Sequence, residues 1–78
     1  MTADARARAA QTILEAPLAA EVLADFEAAA INLFVHAPIN DDDTRRNAAA
    51  EVRAIRRFRE RLEALAKGQS ERPRQPPA

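Results

Sequence analysis

The sequence predicts an all-α protein, an antiparallel helical hairpin preceded by a short N-terminal helix and followed by a flexible Pro-rich C-terminal tail. Three observations predict it. Apolar residues recur at three- and four-residue spacing through two long windows. Pro17, Pro38 and Gly68 stand between or just after these windows, where helices begin and end. The final stretch, QSERPRQPPA, holds no large apolar residue. These place helices at about 2–16, 18–36 and 44–67, in one helical domain over 1–68 with a Pro- and Arg-containing tail at 69–78.

The first helix has Thr2 as a candidate N-cap and Asp4 in its first turn, where a carboxylate favours the helix dipole. Its apolar content is mostly alanine, with Ile13 and Leu14 the large groups, so alone it is marginal. Pro17 disfavours helical geometry at Ala16 and is itself a suitable first residue for the next helix.

The second helix, LAAEVLADFEAAAINLFVH, is apolar on more than one side. At about 100° per residue, Ala19, Val22, Leu23, Phe26, Ala29, Ala30, Leu33 and Phe34 share one broad face. Ala20, Ala24, Ala28, Ile31 and Val35 form a shallower strip on the opposite side, and Glu27 stands nearly alone. A helix apolar nearly all round is normally buried on several sides. The expectation is therefore that this is the central helix, with its broad face on the third helix and its second strip only partly covered by the first. The strip Ala24, Ala28, Ile31 and Val35 is the expected protein interface.

Pro38 closes the second helix, and Asp41, Asp42, Asp43 and Thr44 offer caps for the third across a short reversal. In the third helix Ala48, Val52, Ile55, Phe58, Leu62, Leu65 and Ala66 make one apolar face, and Gly68 takes the C-terminal capping position. Opposite lies a basic stripe of Arg46, Arg53, Arg57 and Arg61. The tail contains Pro73-Arg74-Gln75-Pro76, a formal PxxP match of a kind common by accident in Pro-rich segments.

A chain of 78 residues has room for little core. Domains below roughly 70–80 residues rarely draw more than ~3–5 kcal/mol from a single core, and disulfides, a metal or oligomerisation make up the deficit. There is no cysteine and a single histidine, which removes disulfides, thiolate sites and a plausible structural zinc. Self-association or docking on a larger partner is the remedy left. The net charge is zero, but the sign divides along the chain: every charged residue between Ile13 and Asp43 is acidic (Glu15, Glu21, Asp25, Glu27 and Asp41 to Asp43), and between Thr44 and Lys67 eight basic residues stand against Glu51, Glu60 and Glu63. That pattern suits mutual attraction within a hairpin or an acidic partner. The N-terminus lacks the features of a signal peptide and the second helix carries too many acids for a membrane span, so the chain reads as soluble and intracellular.

Catalysis requires a nucleophile, base or metal with a partner that positions it. His36 stands at a helix C-terminus, where it serves as a capping or dipole-compensating group. Gly68 is the only glycine, so no phosphate-cradling loop exists. Asn40, Asp42, Thr44 and Glu51 have calcium-loop offsets, but the position that needs glycine is Arg45. Glu21 and Asp25 lie one turn apart with nothing converging on them. No catalytic residue, cofactor or metal site is expected. The arginine stripe could track phosphates, but base-stacking aromatics are not expected to be free, since all three Phe fall on or beside core faces. An acidic reversal loop also suits a helix-turn-helix poorly.

Ala9-Ala10 before Ile13-Leu14, then Pro17-Leu18, Phe26, an acidic connection, and a closing helix with Arg53, Ile55, Arg59 and Leu62 before Gly68, resemble small helical proteins encoded among the virion genes of tailed bacteriophages and prophages. The resemblance spans about Ala9 to Gly68. It implies a virion or assembly component, located in the virion or host cytoplasm, whose partners are copies of itself or a larger assembly such as a capsid. The alternatives are a small regulator that binds nucleic acid or an acidic protein through the arginine stripe, and an inhibitor of a host defence complex.

Overall fold

A computed structural model of the chain describes residues 1–68. The expectations for the tail, including its PxxP segment, lie outside the described residues. The fold is all-α: α1 spans Ala3–Glu15, α2 Pro17–His36 and α3 Asp42–Ala66. The α2–α3 pair is the expected hairpin. Among the described residues, no helix is long and apolar enough to cross a membrane.

Local chemistry sets each boundary. Thr2 is extended and its hydroxyl accepts the Ala5 amide at 3.1 Å, capping α1. The break between α1 and α2 is one residue, Ala16, held extended at φ −70°, ψ 116° by the proline that follows it. Pro17 then opens α2 at the position where a missing amide leaves no bond unmade. Asp41 caps α3, its carboxylate accepting the Thr44 amide at 3.1 Å and the Thr44 hydroxyl at 2.6 Å. At the other end Gly68 takes φ +77° and donates its amide to the Leu65 carbonyl at 2.9 Å. That left-handed geometry is why glycine stands there.

The packing corrects one expectation. α3, not α2, is the central helix: α1 and α2 both pack against it and touch each other much less. The physical reason is the one-residue break. Antiparallel neighbouring helices are joined by about 2–8 residues, so α1 cannot fold back along α2 and instead meets the apolar face of α3. Where the three helices converge, Ile13, Leu14, Ala20, Leu23, Arg59 and Leu62 line a small hollow.

The core is correspondingly small. Its buried members are Ala10, Ala30, Ala48 and Leu62, each lying on a helix–helix contact. Alanine lets two backbones approach closely but removes little apolar area from water, and burial free energy scales with that area.

Candidate interaction surface

The broad apolar face of α2 is divided by the structure. Leu23 and Ala30 turn inward toward α3, together with Ala19 and Glu27. Val22, Phe26, Ala29 and Leu33, expected on the same core face, instead form an exposed stripe along the helix together with Leu18. Leu18 is 69 % exposed, Phe26 56 % and Leu33 54 %. A helix docked mainly on one neighbour leaves its other sides open, and α1, which meets α2 only near Ala20 and Leu23, leaves this stripe uncovered among the described residues.

Phe34 and Phe58 are also exposed, so the expectation that all three phenylalanines are occupied by the core does not hold. Phe58 follows the apolar spacing of α3 yet stands at the margin of its packed face.

The expected interface strip lies on the other side of α2. Ala24, Ala28, Ile31 and Val35 are all exposed, Val35 at 65 %. Ile31 borders an open apolar hollow with Phe34, Ala49, Val52 and Arg53. One member of the interface strip and one of the basic stripe therefore meet at the same place.

The four stripe arginines have unequal surroundings. Arg46 pairs with Asp43 at 3.0 Å. Arg61 is half-buried and engaged within the molecule. Arg53 edges the apolar hollow, and Arg57 is exposed. Of the four, Arg53 and Arg57 are thus the exposed cations without an ion pair among the described residues.

Two polar side chains matter more to the fold than the sequence pattern suggested. Glu27, isolated among apolar residues, sits on the α2–α3 seam with its side chain only 17 % exposed. It receives Arg59 Nη2 at 3.0 Å and Arg56 Nε at 3.2 Å. These hydrogen bonds, Arg59's foremost, hold its carboxyl below the ordinary glutamate range against the opposing effect of partial burial. A lone acid inside an apolar helix face, opposite arginines on the neighbouring helix, was the available signal.

Arg45 is the other. Its guanidinium donates to the carbonyls of Pro38 at 2.7 Å and Ile39 at 2.8 Å and pairs with Asp42 at 2.6 Å. It thereby satisfies loop acceptors just beyond the negative end of the α2 dipole. The acidic cluster is consumed in the same way. Asp41 caps α3, with its pKa lowered first by the Thr44 hydroxyl and then by the Thr44 amide, while Asp42 and Asp43 pair with Arg45 and Arg46.

His36 completes the hairpin end, its Nδ1 lying 3.0 Å from the Asn32 carbonyl in the last turn of α2. Beside it, Ala29, Leu33, His36, Ala37 and Pro38 line an open hollow on the same side as the exposed stripe. The chain matches no family model, no curated protein and no solved structure at a significant level, so these surfaces are interpreted from their own chemistry.

Proposed function

We propose that the protein is a non-enzymatic assembly component, a capsid-associated or head-assembly protein of a bacteriophage virion, that completes its hydrophobic core against other protein surfaces. The observation that carries the assembly reading is the contrast between the buried and exposed sets. Three alanines and Leu62 are buried, while Leu18, Phe26, Leu33 and Val35 are more than half exposed on one helix. Leu18, Phe26 and Leu33 lie along one side of the helix, and contiguous exposed apolar surface of this kind marks interaction sites in soluble domains. A core this poor leaves association as the source of the missing stability. The virion assignment draws on the sequence resemblance alone.

Light scattering and sedimentation on the full chain test the reading. The expected result is assembly above monomer mass, with an apparent stability that rises with protein concentration. A monomer with concentration-independent unfolding refutes it.

A second reading, a small regulator contacting a polyanion or acidic protein, is favoured only by Arg53 and Arg57. It requires binding that falls steeply with salt and is lost on Arg53→Glu with Arg57→Glu.

A further inference from the structure

Building on the assembly reading, we propose that the exposed stripe of α2 is covered by α2 of a second copy of this chain, running antiparallel, with Phe26 of each copy seated on the partner's Ala29. The stripe of Leu18, Val22, Phe26, Ala29 and Leu33 extends about 22 Å at 1.5 Å per residue and lies on one side of the helix. Its order is self-complementary under reversal. Setting Phe26 opposite Ala29 places Val22 opposite Leu33 and Leu18 opposite Ala37. Leu18 then lies against the open hollow bordered by Leu33, His36, Ala37 and Pro38.

Charge selects the same arrangement. The polar edge flanking the stripe reads Glu21, Asp25, Asn32 and His36. A two-fold axis between antiparallel helices joins like edges in reversed order, so Glu21 comes beside His36 and Asp25 beside Asn32. The two acids on each chain meet a histidine and an amide instead of one another. The helix dipoles also oppose favourably. A parallel pair would face Phe26 with Phe26 and Ala29 with Ala29, overfilling one layer and leaving a void in the next. The strip around Ala24 and Ala28 is the weaker candidate for this contact, because alanine contributes little area and Ile31 already borders the hollow with Phe34 and Val52.

The chain has no cysteine, so engineered thiols report the pairing without background. In the antiparallel pair Ala29→Cys lies near the two-fold axis and cross-links to itself under mild oxidation. Leu18→Cys alone does not cross-link, but Leu18→Cys mixed with Ala37→Cys does. Phe26→Asp weakens association roughly thirtyfold or more, the scale of a central interface residue. Because Phe26 is exposed within one chain, the variant keeps a helical far-UV circular dichroism spectrum, with a melting temperature lowered in step with the lost association. Self-cross-linking of Leu18→Cys as readily as Ala29→Cys overturns the antiparallel register. Assembly that survives Phe26→Asp but is lost on Ile31→Asp with Val35→Asp overturns this pairing and leaves the assembly reading standing. A monomer at every concentration overturns both.

Discussion

Leu62 and Phe58 lie one turn apart on α3, and the spacing of apolar residues assigns them the same role. The structure separates them: Leu62 is 8 % exposed and Phe58 54 %. Truncating Leu62 to alanine removes the aliphatic carbons beyond Cβ, at about 0.8 kcal/mol for each methylene-sized group. Those groups together contribute about 2.4 kcal/mol. The void left behind adjoins the hollow shared with Ile13, Leu14 and Leu23, which lets neighbours relax, so the added cavity term is small and the total stays near 2–3 kcal/mol. Phe58 has roughly half its surface left to lose, which sets Phe58→Ala at about 1 kcal/mol. Urea unfolding of the full chain, followed by far-UV circular dichroism at one low protein concentration, measures both. Against a core supplying ~3–5 kcal/mol, Leu62→Ala should leave a partly unfolded population in water, and Phe58→Ala should not. Equal losses for the two variants would refute the placement of the core at the three-helix junction.

Replacing Glu27 by Gln removes the negative charge and one of the two carboxylate oxygens that accept from Arg59 and Arg56. Because the folded-state pKa of Glu27 is lowered, its contribution is present at neutral pH and is lost as pH falls through the folded value. Glu27→Gln should therefore lower stability at pH 7 and flatten its decline into acid, measured by thermal melts across that range; an unchanged acid profile would count against the seam. Ala30→Leu places a large side chain where the residue is 1 % exposed, and overpacking of this kind costs about 1–3 kcal/mol. A stabilised variant would show that the α2–α3 contact has room to spare. Arg45→Ala frees the carbonyls of Pro38 and Ile39 and should cost about 1 kcal/mol for a partly exposed charged donor. Faster amide exchange confined to the reversal loop and the first turn of α3 is the expected signature. Finally, Arg53→Glu with Arg57→Glu should leave sedimentation unchanged, whereas lost assembly would move the interface to α3.

The helices themselves were legible because their determinants are local. Thr2, Pro17, Pro38, the acidic cluster and Gly68 act on the backbone within a turn of where they stand, and the observed bounds of Ala3–Glu15, Pro17–His36 and Asp42–Ala66 follow them closely. The strip Ala24, Ala28, Ile31 and Val35 was expected to be partly covered by the first helix; all four residues are exposed because α1 packs on α3 instead. Arg45 and Glu27 were harder to recognise. Their roles depend on acceptors and donors six to about thirty residues away, and periodicity records only which side of its own helix a residue occupies.

Composition and spacing thus determined that the chain is three helices with a hairpin, no cysteine chemistry and too little core. Only the tertiary structure decided which helix is central and which half of α2 is left uncovered. A single residue between α1 and α2 sends the first helix to α3, and one neighbour can screen only one side of a helix apolar on two. Leu18, Val22, Phe26 and Leu33 were therefore recognisable as apolar from the sequence, but their exposure is a property of where the chain turns.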